Sequence, residues 1–367
     1  MAAIVTASSE AIMSTTLGGV ITSWNPAAQR LYGYAPAEAI GQSVRMLAPP
    51  DRTEELADLW AQVRRGDIVK GYETVRLTRD GRRIDVALTL SPVHDADGQV
   101  IAFASIARDV TELRRLQRER DRLHTELEGE FARAAEIQAQ LLPHPVPDLP
   151  GYEFAGTCLP ARQVGGDFYD WLAGDDAIRL SLGDVMGKGM PASLLTATVR
   201  AALRVVAHLP VSAAMEAVNR ALSPDLMQSD SFITLFHAAL EPESGQLTYV
   251  DAGHGLDFIH RADGSVEPLR QRGLLLGVLA DAAYPAGTTT LERGDTLVVY
   301  SDGLPDARPE LRLDALGVAG QIRELPDAQA KLERLVSLVS DVHTRPDDLT
   351  LVLLRRRPEP CPGHPSA

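Results

Sequence analysis

The sequence predicts an α+β chain in which two sheet-rich globular units are joined by one long helix. Three observations carry this. Residues 1–110 hold apolar runs alternating with polar residues around Asp-Gly turns, the pattern of antiparallel hairpins. Residues 111–142 lack proline and sustain an apolar heptad. Residues 143–357 hold more strand-like than helix-like runs, and the two longest helical runs are consecutive. That order favours a layered sandwich over repeated strand–helix–strand units.

In the first unit, 19–24 reads as a short strand stopped by Asn25-Pro26, and 27–34 as a helix. Asp80-Gly81 separates alternating runs at 73–78 and 83–90, and Asp97-Gly98 separates 89–93 from 100–106. The result is an antiparallel sheet with short helices near its start. Trp24 and Tyr34 read as core or lid aromatics, and His94, in a strand or the turn after it, as a solvated polar residue.

With Leu113 at a, the a positions of the linker are Leu113, Arg120, Leu127, Ala134 and Leu141, and the d positions are Leu116, Leu123, Glu130 and Ile137. Seven of these nine are apolar, which predicts a dimeric coiled coil; the alternative is a single amphipathic helix docked on a neighbour. Arg120 and Glu130 weaken the seam and leave room for more than one register. Pro143, Pro145, Pro147 and Pro150 end the helix.

In the second unit, strands are expected at 152–158, 178–182, 232–240, 246–251, 296–300 and 349–354, and helices at 191–207, 212–222 and 328–342. The Pro-rich tail, 358–367, is expected to be disordered. The formal charge of −14 speaks against nucleic acid as a partner. Cys158 and Cys361 are too few and too far apart for a disulfide framework or a cysteine metal site. The N-terminus has neither a basic start nor a long apolar core, and no run of ~18 apolar residues occurs, so the expectation is a cytoplasmic protein without a membrane partner.

The stretch SLGDVMGKGM at 181–190 has the look of a nucleotide cradle. Only three residues lie between Gly183 and Gly187, and Lys188 is followed by Gly189 instead of the hydroxyl residue that would meet Mg²⁺, so it is not a P-loop. Its distinctive residue is Asp184, at the end of an apolar strand where aspartate is depleted. Asp167 and Asp170, Asp302, and the pair Asp347-Asp348 occupy similar strand-end positions. Carboxylates gathered at one edge of a sandwich repel one another, and hard divalent cations relieve that repulsion; oxygen-only ligands select Mg²⁺ or Mn²⁺.

Two resemblances follow from these motifs. ITSWNPAAQRLYGYAPAEAIGQSV at 21–44, RLTRDGRRIDVALTLSPVHDADGQV at 76–100 and ARDVTELRR at 107–115 resemble a PAS sensor domain. Its ligand is not specified: without cysteine in this unit the cysteinyl–flavin chemistry of light-sensing relatives is excluded, and without a helical histidine a haem is not expected. RAAEIQAQLLP at 133–143, VGGDFYDW at 164–171, LGDVMGKGMPASLL at 182–195, TLFHAAL at 234–240, YVDAGH at 249–254, LVVYSDGLPDAR at 297–308 and RPDDLTLVLL at 345–354 resemble the SpoIIE/RsbU-type branch of the metal-dependent protein phosphatases, related to protein phosphatase 2C.

The second resemblance implies an αββα sandwich with a two-metal site that turns water on a phosphoserine or phosphothreonine ester. Matched residue by residue, Asp167 and Asp184 would hold the metal pair beside the Val185 carbonyl. Asp302 and Asp347 would complete the set, with Asp348 adjacent or sharing the role. His254 is either a general acid or a structural histidine of a tight turn; Gly255 stands where the family usually has Asn. Lys188 either meets substrate phosphate or is a solvated loop cation. Pro305 departs from the pattern after Asp302. The implied substrate is a phosphorylated STAS-domain anti-anti-sigma factor, and the implied assembly a homodimer through PAS domain and coil. The alternative is a non-catalytic dimeric sensor with a degenerate phosphatase domain. A sensor kinase fails for want of a nucleotide-binding glycine box after the coil.

Overall fold

A computed structural model describes residues 2–143, 147–174, 177–342 and 345–358, so Pro145, Cys361 and all of the expected tail except Pro358 lie outside the described residues. The chain divides into two compact units, Met1–Leu127 and Glu128–Ala367.

In the first unit, strands β1 (Ala11–Thr16), β2 (Ile21–Trp24), β3 (Val69–Leu77), β4 (Arg83–His94) and β5 (Val100–Asp109) form one antiparallel sheet in the order β2-β1-β5-β4-β3. Helices α1 (Ala2–Ala7), α2 (Pro26–Tyr32), α3 (Pro36–Ala39) and α4 (Thr53–Arg64) accompany it. Asn25 explains the expected strand stop. Its Oδ1 accepts from the Ala28 N–H at 2.8 Å and caps α2, while Pro26 supplies the helical φ of the first turn. Trp24 is a core residue, packed with Met13, Tyr32, Leu47, Val86 and Leu88, and its Nε1 donates to the Tyr34 carbonyl. His94 is exposed at the end of β4.

The linker is one helix, α5 (Thr111–Leu141), and none of its residues is buried. Its first turns are fixed by ion pairs of Arg114 with Glu73 and Arg118 with Asp85. Leu113, Leu116, Leu123, Leu127 and Ile137, five of the seven apolar seam residues, are each more than half exposed.

The second unit is a helix–sheet–sheet–helix sandwich. One sheet, β13-β10-β9-β8-β7, comprises β7 (Asp167–Ala173), β8 (Ile178–Val185), β9 (Ile233–Leu240), β10 (Gln246–Ala252) and β13 (Gly287–Thr290). The other, β12-β11-β14-β15-β6, comprises β6 (Tyr152–Leu159), β11 (Asp257–His260), β12 (Val266–Pro268), β14 (Thr296–Tyr300) and β15 (Leu349–Arg356). Between the sheets lie Phe154, Trp171, Leu182, Phe236, Tyr249, Val299 and Val352. Helices α6 (Met190–Val205) and α7 (Val211–Gln228) cover the first sheet through Val199, Leu203, Met215 and Val218. The short α8 (Gly303–Ala307) follows β14; α9 (Ala315–Ile322) and α10 (Ala328–Ser337) cover the second sheet through Val318, Ile322, Leu332 and Leu335. Helices on both outer faces leave neither side of the inner strands to water. That is why β14 and β15 read as continuous apolar runs.

The expected strands and helices of this unit are present, and β7, β11, β12, β13, α8 and α9 are additional. Helix α7 continues to Gln228 through Pro224, past the expected end at 222, because Leu226 beyond the proline is fully buried and outweighs the lost backbone bond. One histidine ties this core to neutral pH. His237 on β9 faces Ser181 on β8, with Ser181 Oγ 2.8 Å from Nδ1. Burial, and then Arg179, lowers its pKa to about 4. An imidazole depressed in the folded state binds its proton more readily when unfolded. Its stabilising contribution is therefore complete above about pH 6.5 and is lost as pH falls towards 4, by about 3 kcal/mol. His237→Gln is expected to flatten the fall in unfolding free energy between pH 6.5 and 4, measured by denaturant titration; an unchanged slope would show that His237 is not the group responsible.

Candidate active site at one edge of the sandwich

The site begins with a register. Strands β7 and β8 pair antiparallel with Asp167 directly opposite Asp184. Side chains so placed have Cβ atoms about 5 Å apart, and like charges there repel. Asp167 is buried, Asp184 half-buried. Burial first, and then the Asp184 charge, holds the Asp167 carboxyl well above the usual carboxylate range, although the Ser301 and Thr350 hydroxyls pull it back. Burial, followed by Asp302 and Asp347, raises Asp184 to about 6. Asp302, immediately before α8, is raised by burial and then by Asp347. The four carboxylates thus share one field. Asp167 Oδ2 is buried without a hydrogen-bond partner.

The structure separates the two neighbouring aspartates that precede β15. Asp348 is buried, and its oxygens accept from the Ala161 N–H at 2.6 Å and the Gly166 N–H at 2.7 Å. It clamps the loop leading into β7. Asp347 is half-buried, and its Oδ2 lies 2.8 Å from Lys188 Nζ. Lys188, a candidate for phosphate, is therefore a counter-charge at the same edge. Among the described residues no three His, Cys, Asp or Glu side chains close into a ready ion cage; a cation already stands against Asp347.

Glycines allow this close approach. A Cβ on Gly166 would lie 2.6 Å from the Val185 carbonyl oxygen, and one on Gly303 would lie 1.9 Å from the Asp348 carbonyl oxygen. The loop before Asp167 is held twice more. Gln138, on the last turns of α5, donates to the Gly165 carbonyl at 2.8 Å and accepts from its N–H at 3.1 Å. Thr196 on α6 donates to the Gly166 carbonyl at 2.7 Å. Neither residue stands out in the sequence, because its role depends on a backbone group far along the chain.

Other sequence candidates fall elsewhere. Asp170, grouped with the acidic residues by its spacing, is buried against Arg200 and Arg204 at 3.0 and 2.7 Å and is a structural ion pair. His254 is buried; its N–H donates to Asp251 Oδ1 at 2.6 Å, and desolvation lowers the ring to about 4. It lies inside the tight turn that follows β10. Beside it the exposed Arg272 pairs with the buried Asp251 and Asp257, a group that sequence reading missed because its members join only when β10 and β11 are placed.

A PAS domain in front of a helix–sheet–sheet–helix sandwich with a carboxylate edge defines a sensor-linked member of the protein phosphatase 2C-like class. A family model described as Stage II sporulation protein E (SpoIIE) matches residues 174–357, half of the chain, and a PAS domain model matches residues 9–112. The chain belongs to the SpoIIE family. It is similar to phosphoserine phosphatase RsbU of Bacillus subtilis, 28% identical over 252 residues covering 64% of this chain and 72% of RsbU. It is also similar to protein IcfG of Synechocystis sp., 29% identical over 208 residues, but spans only 33% of that protein's length. Among solved structures, the SiaA-PP2C domain of Pseudomonas aeruginosa superposes with a TM-score of 0.54 at 20% identity over 64% of this chain and 97% of that one, a likeness of fold.

Proposed function

We propose that the chain is a PAS-regulated, metal-dependent serine/threonine protein phosphatase. The observation that supports this most is the Asp167–Asp184 pair: two facing carboxylates at a buried strand pair, one with an oxygen lacking any donor. An all-oxygen set of this kind suits a hard divalent cation, Mg²⁺ or Mn²⁺. In this reading Asp167, Asp184, Asp302 and Asp347, with the Val185 carbonyl, hold two such ions. When bound, the ions supply an activated water at neutral pH and neutralise phosphoryl oxygens. The chain's own residues do the rest. Asp348 fixes the loop that carries Asp167 into register, and Lys188 supplies a side-chain cation beside Asp347. His254, kept neutral, braces the turn after β10.

Similarity to a phosphoserine phosphatase supports a phosphoserine ester as substrate. The family reading extends this to a phosphorylated STAS-domain anti-anti-sigma factor whose dephosphorylation releases a sigma factor in the cytoplasm. Among the described residues no helix is long and apolar enough to cross a membrane. The test is hydrolysis of a phosphoserine protein by the full chain with Mn²⁺ and with EDTA. Turnover only with Mn²⁺ is expected; none under either condition would favour a binding module with a degenerate site.

The sensor's lever, in this reading, is a dimeric coil through α5, ending at the Gln138 contact with Gly165. Leu127→Glu places a charge in the seam. It is expected to lower the dimer fraction in sedimentation and to change the basal rate several-fold. Unchanged association and an unchanged rate would sink the lever.

A further inference from the structure

The stretch Gly273-Leu-Leu-Leu-Gly-Val-Leu-Ala280 contains no charged residue and projects large aliphatic side chains into solvent beside the carboxylate edge. Leu274, Val278 and Leu279 are 50%, 53% and 54% exposed, and Met186, two residues past Asp184, is 39% exposed. Backbone bonds place these next to the site. Val185 pairs with Ile233 across β8 and β9, and Ile233 exchanges N–H and carbonyl bonds with Leu276 at 3.2 and 3.0 Å. Met186 donates to the Phe232 carbonyl at 2.9 Å. Leu276 is thus two strand spacings, about 10 Å, from the strand that carries Asp184.

The exposure is held in place. Asn219, fully buried on α7, donates to the Leu279 and Ala280 carbonyls at 2.8 and 3.0 Å and accepts from the Gly277 N–H at 3.0 Å. Gly277 sits at φ +89°, with Leu226 filling the space a side chain would need. Leu276 anchors the middle of the segment in the core. A loop fastened through the backbone of four residues cannot fold its aliphatic side chains inward, and a fixed apolar patch beside a reaction site marks a contact surface.

We propose that this segment, with Met186, is the docking surface for the phosphoprotein itself, and that its partner is a folded protein carrying an apolar patch beside its phosphorylated residue. The proposal rests on the phosphatase reading above. Position supports this occupant: the segment lies two strand spacings from the strand that carries Asp184, within the footprint of a protein whose phosphorylated residue enters the carboxylate edge. The uncharged segment gives affinity through desolvated apolar area. Small phosphate esters, having no such patch, do not use it.

The test compares wild type with the double variant Val278→Asp/Leu279→Asp, using a serine-phosphorylated STAS-domain protein and p-nitrophenyl phosphate with Mn²⁺. Leu316→Asp, at an exposed leucine of α9, is the control. The double variant is expected to raise KM for the phosphoprotein roughly tenfold or more, with p-nitrophenyl phosphate turnover and the control unchanged. An unchanged phosphoprotein KM, or a parallel fall with both substrates, overturns the proposal. So does a change in oligomeric state by light scattering with KM intact, which assigns the patch to a second copy of the chain. If wild type hydrolyses neither substrate, the phosphatase reading fails. Calorimetric binding of the phosphoprotein then decides the docking surface alone, equal affinity for wild type and variant overturning it.

Discussion

Asp184→Asn is expected to abolish Mn²⁺-dependent phosphoserine hydrolysis while making the metal-free protein more stable. Asp184 faces Asp167 across one strand pair; burial and then the Asp184 charge raise the Asp167 carboxyl, while burial, Asp302 and Asp347 raise Asp184. At an effective dielectric of about 20 and a separation of about 5 Å, two unit charges repel by about 3 kcal/mol. An amide of the same shape removes that term, so a gain on the order of 1–3 kcal/mol is expected, several degrees in Tm. The same change removes one anionic donor from the set that would hold the ions, and a rate loss of about 10³-fold or more follows, equivalent to ~4 kcal/mol of transition-state stabilisation. The opposite signs are the diagnostic feature. A merely structural aspartate would lose stability and activity together.

The second large effect separates two adjacent residues. Asp348→Ala is expected to unfold the site, because the Ala161 and Gly166 N–H groups lose their acceptor in a buried loop. Leaving two such donors unpaired costs about 2–5 kcal/mol, and denaturant melts should show it with or without metal. Asp347→Ala keeps the Asp348 side-chain clamp and removes a half-buried carboxylate that pairs with Lys188 and accepts from the Asp348 N–H at 2.9 Å. Its stability should stay within about 1 kcal/mol of wild type, while the Mn²⁺ concentration for half-maximal activity rises at least tenfold. Equal destabilisation by both substitutions would mean that the two aspartates share one structural role.

Much of this was legible in the sequence because the chemistry contradicts the local structure. Aspartates at the ends of apolar strands, next to glycines, stand out against the composition expected there, and Asp167, Asp184, Asp302 and Asp347 are brought to one edge. The Asp-Gly turns gave the hairpins of the first unit, and the heptad gave α5 to within a residue. What could not be read depends on register and tertiary placement. Strand β7 reads DFYDWLA, and two aspartates in seven residues hide a strand whose pairing is what sets Asp167 against Asp184. The same aspartates made Asp170 look like a site residue, whereas two arginines from the next helix neutralise it. Gln138 and Asn219 are ordinary polar residues in helical runs, and only the folded backbone gives them carbonyl and N–H partners. Strands β11, β12 and β13 are short, and their residues have no run long enough to announce a strand.

The central claim is that this carboxylate edge is a divalent cation site, and calorimetric titration of Mn²⁺ into the metal-free full chain tests it most directly. The account predicts saturable binding of two ions per chain, with affinity reduced at least tenfold by Asp184→Asn and by Asp347→Ala and left intact by Asp170→Asn. Absence of binding, or binding that survives both Asp184→Asn and Asp347→Ala unchanged, would contradict it.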